Sequence, residues 1–308
     1  MTDLSTFARE TIDEGSKSFA LASRVLSPDA RDHAVMLYAY CRYADDLVDG
    51  QTMGHGQDAG YREGQAARVA TLREQTHAAL LGEATDNAYY LALKAVCDRT
   101  GLPTVYIDQL IDGFQMDADR RVYRTMGDIL DYSYHVAGVV GVMMAWIMGV
   151  RDAKTLDRAS DLGLAFQLTN IARDVIDDAR AGRVFLPEDV LAKAKAPSTP
   201  EAIANPDEWP SVFKAALELL ERADIYYDSA SYGVRDLPYR NAWAIETARQ
   251  VYREIGRTLR KAGPEAWHGR VGTTKPQKLA LAAKAAFTAR GKLDPAAEPR
   301  SGFYERPA

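Results

Sequence analysis

Two segments of the chain set oxygen-bearing side chains at helical spacing. The first reads Tyr38-Ala-Tyr-Cys-Arg42-Tyr-Ala-Asp45-Asp46-Leu-Val-Asp49. On a helix, Tyr38, Arg42, Asp45 and Asp49 share one face, the two aspartates lie one turn (about 6 Å) apart, and Asp46 is rotated away by about 100°. The second reads Gln167-Leu-Thr-Asn170-Ile-Ala-Arg173-Asp174-Val-Ile-Asp177-Asp178, in which Gln167, Asn170, Asp174 and Asp178 form a stripe and Arg173 lies beside it. Like charges one turn apart destabilise a helix by roughly a few tenths of a kcal/mol, so something must offset them. Arg42 supplies part of that, and a bound cation would supply more. Magnesium characteristically takes one or two carboxylates, water and substrate phosphate oxygens. A single Asp-x-x-x-Asp is commonly just a solvated face. Two, each with an arginine and an amide or tyrosine alongside, make a metal–diphosphate site a reading of equal standing.

The elements that must position these stripes read as helices. Apolar residues recur at three- and four-residue spacing through 30–48, 66–81, 88–99, 103–116, 129–148, 153–178, 212–230 and 241–261. No run of alternating β-branched residues and no tandem repeat is found. The predicted fold class is all-α, a single domain over 1–290 with a weakly ordered tail over 291–308. The most apolar run, 136–150, is too short to cross a bilayer of about 30 Å and follows Asp131 and His135 closely, so it reads as a buried core helix. Gly138 and Gly141 in that helix allow a backbone or ligand to approach closely. A glycine-rich segment, 50–64, follows the first stripe, and a proline-rich one, 193–210, lies soon after the second. Both read as loops or short flaps.

Composition narrows the classes. The 308 residues carry a net charge of −5, which argues against a nucleic-acid binder and means that an acidic protein binding phosphates needs local cations. Cys41 and Cys97 read as reduced core residues rather than a disulfide framework. The first residues lack a basic stretch followed by an apolar one, so a cytoplasmic chain without a signal peptide is expected. The five histidines show no metal-protease spacing, and no nucleophile elbow, Walker loop or dinucleotide fingerprint is present.

Over about 7–289 the chain resembles the squalene/phytoene synthase family. The resemblance rests on Ser16-Lys17-Ser18-Phe19, on the first aspartate segment, and on Tyr132-Ser-Tyr-His-Val-Ala-Gly138-Val-Val-Gly141. It rests also on the second aspartate segment with its trailing Ala-Arg180-Ala-Gly-Arg183-Val-Phe185-Leu-Pro187. It implies an all-helical isoprenoid-synthase bundle with a central active-site cavity. Carried over by position, Asp45, Asp49, Asn170, Asp174 and Asp178 hold divalent metal, Mg2+ or Mn2+. Ser16, Ser18, Arg42, Gln167 and Arg173 contact or organise the diphosphates. Phe19, Tyr38, Tyr132 and Tyr252 line the reacting centre, with Tyr38 and Tyr252 among the catalytic set, and Gly138 and Phe185 complete the substrate-binding set. The chain departs from the family pattern at Ile176 and Asp177, where glycine and glutamate are common, and at Phe185, which lacks a common tyrosine's hydroxyl.

The resemblance also implies a reaction, the head-to-head joining of two allylic diphosphates. Two molecules of geranylgeranyl diphosphate without NADPH are expected, and farnesyl diphosphate is the alternative. No nucleic-acid partner is expected. Peripheral membrane contact and neighbouring carotenoid enzymes fit the greasy product. The same metal–diphosphate logic serves terpene cyclases and head-to-tail prenyltransferases, against which the Ser16–Phe19 and Tyr132–Gly141 motifs count. A non-catalytic binding relative is the other class, against which both intact aspartate pairs count.

Overall fold

The computed structural model describes residues 4, 7, 8, 23–50, 62–291, 300 and 302–307. The first aspartate segment lies on α1 (Pro28–Asp49), which has proline in its first turn and ends at Gly50, whose left-handed φ of 60° lets its N–H reach the Asp46 carbonyl. There follow α2 (Gln65–Leu81), α3 (Ala88–Thr100), α4 (Thr104–Ala118), α5 (Met126–Ser133), a π-helical turn (Tyr134–Gly138) and α6 (Val139–Ile147). The second segment lies on the longest helix, α7 (Ala153–Arg180). Short α8 (Glu188–Ala194) and α9 (Pro200–Ile203) lead to α10 (Trp209–Val234), α11 (Tyr239–Ala262) and α12 (Lys275–Thr288), with 3-10 turns at Pro206–Glu208 and Gly263–His268. Among the described residues there is no strand.

The chain is therefore all-α among the described residues, and every predicted helix but that over 129–148 is found with its ends shifted by a few residues. Helix α7 is the axis of the packing: α10 lies along it, and α6, the π turn and α11 contact its other sides. Tyrosines fill much of the core, and three of the most buried have their hydroxyls satisfied as burial demands. Tyr40 bonds Thr76 at 2.8 Å, Tyr134 donates to Gln109 at 2.6 Å, and Tyr227 bonds Thr169 at 2.9 Å.

Three regions differ from the sequence reading. The single helix expected over 129–148 is interrupted by the π turn. This turn and α6 lie directly against α7: a Cβ on Gly141 would run into the Ala159 carbonyl, and one on Gly163 into the Ala137 carbonyl. Helix α12 lies beyond the last predicted helix. A Thr274/Gln277 capping box starts it, yet it buries only Ala285, so the apolar pattern gave no signal. The proline-rich segment 193–210 contains α9 and a 3-10 turn and buries Ile203 and Trp209.

The tail, expected to be weakly ordered, packs firmly where it is described. Arg300 makes a two-pronged bond to buried Asp161 at 2.7 and 3.0 Å, Tyr304 donates to Asp131 at 2.9 Å, and Arg306 reaches Asp157 at 2.6 Å. The core carboxylates Asp157 and Asp161 need those cations, a requirement that tail composition does not reveal.

The close approach at Gly163 sets an expectation. Gly163→Ala should lower stability by about 1–3 kcal/mol, since backbone cannot yield as a side chain can. Urea unfolding of the variant beside an exposed Ala→Gly control measures it.

Candidate functional site

A cavity of about 500 Å3 runs through the helices. Along α7 its lining extends from Thr155 to Asn170, about 22 Å at 1.5 Å per residue. Most of that length is apolar, with Val136, Val140, Met144, Ala159, Leu162 and Gly163 in the lining. One end is polar. Arg42 and Asp45 arrive from α1, Asp117 from α4, and Gln167 and Asn170 from α7. Tyr38, Tyr132 and Tyr252 line the cavity as well, joined by Phe166, which stacks on Tyr252 at 4.2 Å between ring centres.

On α1, Arg42 reaches Asp45 at 3.1 Å and Asp46 at 2.9 Å. Asp46, rotated off the stripe in the helical projection, is thus drawn back to it by the arginine's length. Asp49 accepts from Gln65 at 3.2 Å and lies 3.8 Å from the Arg183 guanidinium. On α7, Arg173 grips Asp174 through both prongs, one at 2.7 Å, and Arg270 stands 3.9 Å from the same carboxylate. The end of α7 places Arg183: the Gly182 and Arg183 N–H groups close on the Ala179 and Asp178 carbonyls, both at 2.8 Å. Its side chain thereby turns back to Asp49 on α1, and its positive charge also acts on Asp45, Asp117 and Asp178. The two predicted stripes therefore share a counter-ion.

The carboxyls of this end are shifted upward. Water reaches 43% of the Asp45 side chain, yet it stands in a protein-walled recess. That desolvation, opposed by Arg42 and reinforced by Asp49 and Asp46, pushes its pKa up to about 6. Burial raises Asp49 too, against the pull of Arg183. Asp178 is pushed up to about 7 by burial, with Arg183 opposing and Asp174 reinforcing. Asp117 reaches about 7 for the same leading reason, opposed by Arg183 and reinforced by Asp49.

Ser16, Ser18 and Phe19 lie outside the described residues. Of the others, Tyr38, Arg42, Asp45, Tyr132, Gln167, Asn170 and Tyr252 line the cavity. Phe185 stands behind Tyr132, its ring stacked at 5.3 Å. Gly138 is a packing position, where a Cβ would press on Tyr134 and Ser160. Sequence reasoning missed Asp117 and Arg183. Asp117 continues the stripe Leu110, Phe114 on α4, and a carboxylate ending an otherwise apolar stripe is a signal that was available. It accepts the Tyr132 hydroxyl at 3.1 Å.

Among the described residues, no three His, Cys, Asp or Glu side chains converge into a ready-made metal cage. The donor set instead consists of hard oxygens, in pairs, on two helices. Burial leads the upward shifts of Asp45, Asp49 and Asp178, and neighbouring carboxylates add to it. That is the environment in which a hard divalent cation fits, its remaining positions filled by water and diphosphate.

The family model for squalene/phytoene synthase matches residues 12–277. The chain belongs to the squalene/phytoene synthase family. Its members transfer prenyl groups. A 15-cis-phytoene synthase from Paracoccus sp. is 48% identical over 308 residues, covering 100% of this chain and 99% of that protein. One from Enterobacter agglomerans is 44% identical over 297 residues, covering 96% and 100% respectively. A solved dehydrosqualene synthase superposes with a TM-score of 0.79 at 25% identity, covering 92% of this chain and 95% of that one. The isoprenoid-synthase fold is thus the fold of this chain. No helix among the described residues is long and apolar enough to cross a membrane.

The raised carboxyls fix a pH dependence. An aspartate titrates near 3.9 when unfolded, while Asp117 and Asp178 titrate near about 7 when folded. Between those values the folded state binds more protons, so these groups add stability at low pH that is lost as pH rises through about 7. Metal-free protein should therefore show a Tm component that falls from about pH 4 to about pH 7 and levels off above it. Asp117→Asn and Asp178→Asn should each flatten it, as calorimetry across that range would record.

Proposed function

We propose that the protein is a phytoene synthase, joining two geranylgeranyl diphosphates head to head to 15-cis-phytoene in carotenoid formation. The observation that carries this reading is a long apolar channel ending at two aspartate stripes that share one arginine. It matches a substrate with a greasy tail and a diphosphate head. The substrate is taken from the relatives at 48% and 44% identity, whose own name is phytoene synthase.

Asp45, Asp49, Asn170, Asp174 and Asp178 are the residues that would hold Mg2+ or Mn2+. When bound, the divalent metal supplies positive charge that neutralises these carboxylates and a departing diphosphate together. Arg42 and Arg173 hold Asp45 and Asp174 in register, which fixes where the diphosphate heads can sit. Gln167 and Asn170 present amides to the same end of the channel.

The chemistry is balanced without a reductant, so no NADPH is required. Ionisation breaks the allylic carbon–oxygen bond of one molecule, and the electron pair leaves with its diphosphate. The double bond of the second molecule attacks the resulting cation, and loss of a proton closes a cyclopropane that still bears one diphosphate. Breaking the remaining carbon–oxygen bond, rearrangement and loss of a second proton yield phytoene. The faces of Tyr38, Tyr132, Phe166 and Tyr252 line the channel at its polar end. Each can stabilise a nearby cation by about 0.5–2 kcal/mol. The channel walls exclude water, which would otherwise quench those cations.

Product analysis tests the reading. Purified protein with Mg2+ is offered geranylgeranyl or farnesyl diphosphate, without NADPH. Phytoene from the first, with little product from the second, is expected. Dehydrosqualene from the second alone would overturn the substrate assignment, and no product from either would overturn the reaction. Asp45→Ala and Asp174→Ala should each lower turnover at least about a hundredfold, with Tm retained or raised. Full activity in either variant would remove that residue from the site.

A further inference from the structure

A second cavity, about 300 Å3, adjoins the polar end of the channel. Asp117 lines both. Gln65 and Arg183, which hold Asp49 from behind, line the second cavity as well. Asp117, and Asp49 through these two partners, thus link this space to the polar end of the channel.

Its lining is unusual for a chain of net charge −5. Four arginines meet there: Arg62 from the start of the described segment before α2, Arg120 and Arg121 from the end of α4, and Arg183 from the end of α7. The acidic residues facing them are Asp117 and Glu188. Arg121 is held by Asp131 at 2.7 Å and Arg183 is shared with Asp49, so part of this charge is already balanced. Arg62 donates to the Ala181 carbonyl, which fixes it against the turn that carries Arg183. Arg120 has no side-chain partner among the described residues. It sits at a left-handed φ of 53°, where the Arg120 N–H closes on the Asp117 carbonyl and the Arg121 N–H on that of Met116, both at 3.1 Å. A cation at the end of α4 complements that helix's dipole, which accounts for one arginine there. It does not account for guanidinium groups brought to one cavity from three separate places in the chain.

We propose that this cavity binds inorganic diphosphate as it leaves the reaction centre. The inference rests on the proposed prenyl transfer, which frees a diphosphate at each of its two ionisations. A polyanion leaves from the polar end, where water reaches Asp45, and not along an apolar channel that holds the forty-carbon product, because transferring charge into such surroundings is prohibitive. It can pass Asp49 to a pocket of arginines, whose planar groups match phosphate oxygens two at a time. Arg183, reaching Asp49 from within this cavity, is the cation a released diphosphate meets first.

Titration calorimetry with inorganic diphosphate tests the assignment, using the full chain with and without Mg2+. Binding that persists in Asp45→Asn/Asp174→Asn, and that weakens about tenfold in Arg120→Gln with only partial recovery in Arg120→Lys, is expected. Inhibition of turnover by added diphosphate should weaken by the same factor in Arg120→Gln, with KM for the prenyl substrate unchanged. Binding that is lost in the aspartate variant and untouched in Arg120→Gln would overturn the proposal, because the anion would then belong to the aspartate end. A non-hydrolysable prenyl thiodiphosphate that competes for the Arg120-dependent site would equally overturn it, assigning the cavity to a substrate head. Phytoene formation is measured on the same preparation. Phytoene made without Arg120-dependent binding sinks the cavity assignment alone. Arg120-dependent binding without prenyl transfer sinks the functional reading alone.

Discussion

Gathering carboxylates at the mouth of an apolar channel is unfavourable before any substrate arrives, and much of the fold is arranged around that fact. Asp45, Asp49, Asp117 and Asp178 are all pushed upward by loss of water and by neighbouring carboxylates. Arg183 acts on all four, and it can do so because α7 ends where it does. If α7 ran one turn further, Arg183 would be carried away from Asp49, and the two stripes would lose their common counter-ion. The turn at Gly182 is therefore as much a part of the site as the aspartates are.

The same helix sets the shape of the channel. Gly141 and Gly163 let α6 and α7 approach to backbone contact in the channel wall. Toward the start of α7 an ion network backs the apolar lining of Ala230, Val234 and Leu237. Arg158 lines the channel there and donates to Ser229 at 2.5 Å, Ser229 bonds Asp161, and Asp161 is gripped by Arg300 from the C-terminal segment. A buried ion network of this kind contributes little net stability against an apolar replacement, but removing one partner leaves an unpaired charge. The far C-terminus is thus tied to the floor of the channel, roughly the length of α7 from the aspartates.

Residue spacing made the main helices and both stripes legible, because 3.6-residue periodicity and carboxylates one turn apart are local properties of the chain. What escaped was non-local. Asp117 and Arg183 acquire their roles only when α4 and the end of α7 are brought against α1. No spacing within either segment encodes that meeting. Asp46 shows the same limit in reverse: the helical projection turns it away, and the reach of Arg42 brings it back. Helix α12 was silent because it buries a single alanine, and the tail because the groups that hold it, Asp157 and Asp161, lie on α7. Phe185 was flagged for the hydroxyl it lacks, yet its contact with Tyr132 is through ring faces, so the missing hydroxyl removes nothing from that contact.

Tyr132 brings the charge and the channel together. Its hydroxyl is committed to Asp117 at 3.1 Å, and Tyr123 and Phe185 pack against its ring at 5.1 and 5.3 Å. That bond and the two rings fix the orientation of the Tyr132 side chain in the channel wall. Asp117 accepts that hydrogen bond more strongly when ionised, a state that burial opposes and Arg183 favours. The arginine that balances the aspartate stripes therefore also strengthens the bond that holds Tyr132 in the channel wall.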